Sequence, residues 1–275
     1  FMPVREALSE AHFPTREQNI QILNRGMSAA HRRLSFEELF VLELGLSLRK
    51  RGVTTEKKGI SFRQPVKLEA ELRKQLPFRL TAAQERVIAE INKDMAAEHP
   101  MNRLVQGDVG CGKTVVALVA ALMAVENGYQ ACLMAPTEIL ATQHFRTFGR
   151  YLEPLGLRVT LLVGSMGEAE KVQARASAAD GRTHLLVGTH ALIQDRVAFK
   201  KLGLVVIDEQ HKFGVEQRGL LYEKGTRPDV LVMTATPIPR TLAMTLYGDL
   251  DVSELDEMPA GRQAIVTRVI KEAQL

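Results

Sequence analysis

Gly107-Asp108-Val109-Gly110-Cys111-Gly112-Lys113-Thr114 is the stretch from which the fold can be read. It fits the pattern G-x-x-x-x-G-K-[ST], which a chain of this length matches by chance on the order of 1% of the time. The spacing has a physical reason. Glycines let the backbone curl until successive N–H groups point inward at phosphate oxygens, and the amino end of a following helix adds positive potential. Lys113 is predicted to reach the terminal phosphates and Thr114 to offer its hydroxyl to Mg2+. The blander alternative is an ordinary glycine-rich turn. Context argues against it, because the apolar run 103–106 precedes the stretch and 115–126 has helix length and composition.

Further apolar runs lie on either side, at 131–135, 159–163, 185–187, 204–207 and 230–233. Each is short and almost wholly apolar, the pattern of strands covered on both faces. Segments 138–151 and 168–179 have helix length, so strand–helix units repeat and predict an α/β fold with a doubly wound, mostly parallel sheet. Ligands on such sheets bind at the carboxyl ends of the strands. Residues 1–76 read differently, as a charged helical extension. Phe36, Leu39, Phe40, Leu42, Leu44, Leu46 and Leu48 crowd one segment, which is predicted to be largely buried. Residues 51–65 lose periodicity and read as a connector, and a second helical piece follows at about 66–76.

The chain has 275 residues, 45% hydrophobic and 25% charged, enough for one large domain with an appendage. A net charge of +4 without a dense basic block permits a nucleic-acid partner without demanding one. The two cysteines, Cys111 and Cys132, exclude a disulfide framework and fit a reducing cytosol. The longest apolar stretch, 115–125, is far shorter than the roughly 20 residues of a membrane span, so no membrane partner is expected. Phe1 in place of Met reads as a piece of something longer. Cys111, in the glycine-rich loop beside Lys113, is predicted to favour the thiolate and to react faster than Cys132.

A second signal is the apolar run 202–207 followed by Asp208-Glu209-Gln210-His211. Paired acids after a strand are how phosphate-loop ATPases hold Mg2+ and polarise the attacking water, with Asp208 on the metal side and Glu209 as base. The dipeptide alone also fits a solvated strand end.

Asp208-Glu209-Gln210-His211 resembles the Asp-Glu-x-His box of superfamily 2 helicases. Other segments resemble that family's motifs in the family's order. Ala135-Pro136-Thr137-Glu138 resembles motif Ia, Val187-Gly188-Thr189-His190 motif Ib and Thr234-Ala235-Thr236-Pro237 motif III. The resemblance implies a RecA-like domain that uses ATP and Mg2+. It assigns catalysis to Lys113, Asp208, Glu209 and His211, metal binding to Thr114 and Asp208, and nucleotide binding to the whole loop, Gly107, Asp108, Val109, Gly110, Cys111, Gly112, Lys113 and Thr114. Pro136, Thr137, Gly188, Thr189 and His190 would touch DNA, and Gln210, Thr234, Thr236 and Arg240 would couple nucleotide state to movement. Thr137 and Thr189 also fit plain helix caps, and 234–237 an ordinary strand exit. Phe78-Arg79-Leu80-Thr81-Ala82-Ala83-Gln84 resembles the Q motif, in which Gln84 reads the adenine edge and Phe78 packs on the base. Thr81 and Gln84 equally have the spacing of a helix capping box.

Longer strings narrow the resemblance. Phe213-Gly214-Val215-Glu216-Gln217-Arg218 and Pro237-Ile238-Pro239-Arg240-Thr241-Leu242-Ala243-Met244 are similar to the bacterial fork-remodelling helicases and to the transcription-repair coupling translocases. The stretches 247–262 and 30–39 favour the first. Lys212 stands where relatives usually carry Arg, and Cys111 where Ser is commoner. The resemblance implies a cytoplasmic bacterial motor acting on stalled forks and Holliday junctions. Residues 1–76 would link a wedge domain to the motor, 77–262 would form the first RecA-like domain, and 263–275 would begin the connection to a second motor domain. The alternatives are the motor half of the transcription-repair translocase, and a nucleotide-binding interaction module without productive turnover.

Overall fold

A computed structural model of the chain describes residues 2–15, 18–55, 60–63, 67–189, 192, 197–209, 227–236 and 250–259. The chain divides into two compact units. One contains Phe1–Thr55, the other Glu56–Ile238 with Asp251–Leu275.

The first unit is helical: α1 (Val4–His12), α2 (Ile20–Asn24) and the long α3 (Ala29–Thr55). Helix α1 packs on α3 and buries Ala7 and Ala30. The expectation that α3 is largely buried does not hold. Phe36, Leu39, Phe40, Leu42, Leu44 and Leu48 are exposed, and the side chain of Leu46 lies outside the described residues. The reason is length. At about 1.5 Å per residue, a helix of 9 residues can flank only a third of one of 27. Helix α3 also continues to Thr55, into the stretch read as a connector.

The second unit is α/β. Helices α4 (Lys67–Gln75), α5 (Ala82–Met95), α6 (Lys113–Glu126), α7 (Glu138–Leu152) and α8 (Glu168–Ala179) flank a sheet of β1 (Asn102–Gly107), β2 (Gln130–Met134), β3 (Val159–Leu162), β4 (Leu185–Gly188), β5 (Leu202–Asp208), β6 (Asp229–Thr234) and β7 (Asp251–Leu255). The strand order is β3-β4-β2-β5-β6-β1-β7 and every pairing is parallel. The steps β1 to β2 to β3 run one way across the sheet and β3 to β4 reverses. Right-handed crossovers therefore place α6 and α7 on one face and α8 on the other. This is the doubly wound parallel arrangement that the apolar runs predict, in the RecA-like form that the resemblance implies.

Helix α6 is apolar all round because it is enclosed: Val115 through Ala124 are buried between the sheet and helices α4 and α5. The segment just before α5 belongs to this core as well. Ile60, Phe62 and Leu72 are buried in it, and the Glu126 carboxylate accepts from the backbone N–H groups of Lys67 and Leu68, each at 3.0 Å, at the start of α4. The second helical piece thus packs against α6 and α7. Strand β7 carries no apolar run. It is an edge strand in which only Ser253 and Leu255 are buried, so its sequence lacks the signal of a strand covered on both faces.

The register positions the site. Gln106 of β1 lies opposite Thr234 of β6, and Met233 of β6 opposite Asp208 of β5. The carboxyl ends of β1, β6 and β5 therefore stand side by side.

Candidate nucleotide site and acidic strand end

After β1 the chain turns through the glycine-rich loop into α6, with Gly110 at φ +84° and Gly112 at φ +93°. The turn is tight. A Cβ at Gly107 would lie 2.6 Å from the Cys111 sulfur and 2.9 Å from Leu255 Cβ, and one at Gly112 would lie 2.2 Å from Gln84 Nε2. The N–H groups of Gly110, Gly112, Lys113 and Thr114 find no acceptor among the described residues. They form an open set of donors at a helix amino end, which is the physical requirement for holding an anion. Lys113 Nζ folds back onto the loop, donating to the carbonyls of Gly107 at 2.7 Å and Asp108 at 3.1 Å, and no carboxylate among the described residues pairs with it. Val109 stands exposed at the loop tip, where the Asp108 carboxylate accepts from its backbone N–H at 2.7 Å.

Cys111 contributes its carbonyl to the site, not its thiol. The side chain is fully buried in the core beside Gly107, so the prediction of an accessible, reactive thiolate is corrected. Cys132, in β2, is equally buried.

Gln84 is 1% exposed, and both ends of its amide are engaged. Oε1 accepts from the N–H of Thr81 at 2.9 Å and Thr81 Oγ1 accepts from the N–H of Gln84 at 3.2 Å, the reciprocal pair of a capping box. Nε2 donates to the Cys111 carbonyl at 2.8 Å. Gln84 thus ties the start of α5 to the loop. These bonds use one hydrogen of Nε2 and one lone pair of Oε1, and one of each remains.

Against the loop lies a cavity of about 280 Å³. Phe78, Gln84, Gly110, Gly112 and Thr114 line it, with apolar walls from Leu76, Leu118, Phe148, Tyr151 and Pro259. The last of these belongs to the segment leaving β7. That segment also reaches α5: Glu257 accepts from the N–H of Ala83 at 3.0 Å, and Arg86 donates to the Glu254 carbonyl and the Asp256 carboxylate, each at 2.9 Å. The hydrogen bond from Arg86 holds the Asp256 carboxyl below its ordinary range.

At the end of β5, Asp208 is buried and accepts through Oδ2 from Nε2 of His144 on α7 at 2.7 Å. Its Oδ1 has no protein partner among the described residues. Glu209 follows in the left-handed region at φ +54°, an uncommon backbone for a residue with a Cβ, and its N–H donates to the Met233 carbonyl at 2.9 Å. On β6 next door, Thr234 and Thr236 pair through their hydroxyls at 2.7 Å. Gln210, His211, Pro237 and Arg240 lie outside the described residues.

Pro136 and Thr137 lead into α7, which Thr137 caps by accepting from the N–H of Leu140 at 3.3 Å. Glu138 accepts from the backbone N–H of Ser165 at 3.1 Å and from its hydroxyl, and those bonds hold the carboxyl below its ordinary range. At Gly188 a Cβ would lie 2.2 Å from the Leu162 carbonyl, so close strand pairing requires glycine there. Thr189 is buried and its carbonyl accepts from Leu192 at 3.0 Å; His190 lies outside the described residues.

The structure thus gathers the loop, Gln84, Phe78 and the ends of β5 and β6 at one edge of the sheet. The sequence reading missed His144, the wall formed by Phe148 and Tyr151, and Glu257 with Pro259. Nothing in a helix pattern marks which buried residue faces a strand end.

A glycine-rich loop with a lysine that has no carboxylate partner among the described residues follows the first strand, and an acid pair lies two strands across, the arrangement expected of a phosphate-loop domain of the helicase type. The chain belongs to the DEAD/DEAH box helicase family, which matches residues 81–245. Within it, the fork-remodelling resemblance leads to RecG. The chain is 47% identical over 276 residues to the ATP-dependent DNA helicase RecG of Aquifex aeolicus, covering 100% of this chain and 35% of that protein. It is 51% identical over 267 residues to the RecG of Synechocystis, covering 97% of this chain and 31% of that one. A solved structure of RecG bound to a three-way DNA junction superposes with a TM-score of 0.78 at 41% identity, over 94% of this chain and 37% of that chain. The chain therefore spans about a third of the length of these relatives. The helicase domain of Pyrococcus furiosus Hef, at 23% identity and a TM-score of 0.51 over 66% of this chain and 38% of that one, shares the fold.

Proposed function

We propose that this chain is the ATP-binding motor half of a bacterial DNA helicase that remodels stalled forks and branched recombination intermediates by ATP hydrolysis. The observation that carries the reading is the joint presence, at the carboxyl ends of neighbouring strands, of four backbone donors without an acceptor, a lysine without a carboxylate partner and a carboxylate oxygen without a protein partner, all among the described residues. Donors and cation together call for an anion; the free carboxylate oxygen calls for a cation beside it. A nucleotide phosphate carrying Mg2+ satisfies both.

In this reading the loop from Gly107 to Thr114 holds the phosphates, and Lys113 exchanges its two carbonyl contacts for phosphate oxygens. The Thr114 hydroxyl and Asp208 Oδ1 would hold Mg2+, which would supply positive charge beside the phosphates. Glu209 orients the attacking water and accepts its proton. The base enters the apolar cavity against Phe78, where the remaining donor and acceptor of Gln84 face its edge. Pro136, Thr137, Gly188, Thr189 and His190 provide one side of the DNA track. Gln210, His211, Thr234, Thr236 and Arg240 carry the nucleotide state onward to a second motor domain. Residues 1–76 serve as the linker to a wedge domain, 77–262 as the first motor domain and 263–275 as the start of the connection. Branched DNA as the substrate is supported by the relative solved on a three-way junction. Two buried free cysteines agree with a reducing bacterial cytoplasm, and among the described residues no helix is long and apolar enough to cross a membrane.

The test is Glu209→Gln in the intact protein. The amide keeps the shape but cannot accept a proton, so ATP binding is retained while turnover stimulated by forked DNA is lost. Turnover near the parent's rate would remove Glu209 from the mechanism. A nucleotide sensor would keep its function in this variant, and stimulation by RNA polymerase in place of forked DNA would favour a transcription-repair motor.

A further inference from the structure

His144 belongs to none of the motifs that the sequence singles out, yet it makes the bond that fixes the acidic strand end. It sits seven residues after the Thr137 cap, on the face of α7 that meets the sheet. Nε2 lies 2.7 Å from Asp208 Oδ2, and both residues are only 9% exposed. One turn further along the helix, Phe148 stands against the imidazole with ring centroids 6.2 Å apart and planes at 71°. Phe148 is itself 1% exposed and lines the cavity beside the loop. The ring is therefore held from one side and spent on one carboxylate oxygen from the other.

A carboxylate at a strand end turns easily about its last torsion, whose minima are broad. With Oδ2 pinned, Asp208 can present only Oδ1 outward, in one orientation. Mg2+ demands a near-ideal octahedron and binds through few protein ligands, so a ligand free to turn costs affinity. Partners behind the ligands supply such orientation in metal sites generally, and their loss costs about 10–100-fold in metal affinity or activity.

We propose that His144 is the positioning residue that orients Asp208 for Mg2+, holding the metal-side carboxylate to helix α7. The proposal rests on the reading of Asp208 as the metal-side carboxylate. It assigns to α7 a second role, since the helix that follows Pro136 and Thr137 also sets the geometry of the acid box at its middle.

The experiment uses the intact protein and a fluorescent, non-hydrolysable ATP analogue, titrated with and without Mg2+. His144→Phe keeps a ring against Phe148 and removes the donor. Its expected effect is a rise of about 10–100-fold in the Mg2+ concentration that half-saturates analogue binding, with unchanged Mg2+-free affinity and a matching fall in kcat. His144→Gln, whose amide nitrogen reaches the place of Nε2, restores the Mg2+ response; His144→Asn, one carbon shorter, does not. If His144→Phe fails to fold, the contrast between Gln and Asn decides. An unchanged Mg2+ response in His144→Phe, or equal responses of Gln and Asn, overturns the proposal. Lys113→Ala separates this from the parent reading. If that variant binds the analogue normally, the nucleotide site itself is wrong; if it loses binding while His144→Phe behaves like the parent, only the role of His144 falls.

Discussion

At Gly112 two demands meet in one residue: φ is +93°, and any Cβ would press into the Gln84 amide at 2.2 Å. Gly112→Ala is therefore expected to cost on the order of 1–3 kcal/mol in backbone strain. It also breaks the bond from Gln84 to the loop, so thermal unfolding and nucleotide binding should fall together. Lys113→Ala acts otherwise. It removes a cation that faces the cradle and should abolish Mg·ATP binding while leaving the melting temperature nearly unchanged, as equilibrium titration and calorimetry can check. Cys111 and Cys132 are both fully buried, so a thiol reagent should label neither in the native protein and both at the rate of global unfolding. Fast labelling of Cys111 alone would restore the exposed-thiolate picture. The loop was legible in the sequence because its chemistry is local, eight consecutive residues with a dictated spacing. The contact of His144 with Asp208 joins residues 64 apart and leaves no mark in either neighbourhood. Gln84 lay between these cases, since its spacing fits a capping box and a base contact alike.

Elements, too, are joined by specific charges. Arg73 of α4 donates to Glu69 in its own helix and to Glu85 of α5, at 2.6–2.8 Å. The guanidinium beside Glu85 holds that carboxyl below its ordinary range. A depressed carboxyl contributes stability fully above its unfolded value, about 4.3, and loses it as the pH falls through the folded one. Glu85→Gln should therefore lower the melting temperature at neutral pH, and the difference from the parent should vanish as the pH falls from about 6 to 3. Across the sheet edge, Arg103 of β1 donates to Asp94 at 2.8 Å, to Glu90 at 3.1 Å and to Ser253 of β7 at 2.6 Å. It is only 9% exposed. Arg103→Ala strands two carboxylates that retain some solvent, so the loss should fall short of the ~3–5 kcal/mol of a fully buried pair, at about 2 kcal/mol by denaturant unfolding. The covered strands were legible because burial on both faces leaves an uninterrupted apolar run. Edge strand β7, with Asp251, Ser253 and Glu254, leaves none. The apolar residues of α3 misled in the opposite sense, since hydrophobicity records a preference for burial and says nothing about what lies alongside.

For the molecule as a whole, the site described occupies one wall: every group placed at it comes from the sheet edge and the helices beside it. Resemblance to superfamily 2 motors implies an arginine from a facing second domain, a contact worth roughly 10³–10⁵ in rate in related phosphoryl transfer. Residues 1–275 alone are expected to hydrolyse ATP slowly and to respond little to forked DNA, compared with a protein of the length of the RecG relatives. Equal DNA-stimulated rates in the two would show that one wall suffices. The way out of the sheet adds a mechanical side to this picture. Glu257 accepts in the first turn of α5, Arg86 grips the chain at Glu254 and Asp256, and Pro259 walls the cavity beside the loop, all between the end of β7 and the few residues that follow it. One of those bonds holds Ala83, the chain neighbour of Gln84, which in turn donates to the glycine-rich loop at the Cys111 carbonyl. The exit segment thus ties the end of β7 to helix α5 and to the cavity beside the glycine-rich loop, so the two ends of the described sheet unit's chain share one anchorage.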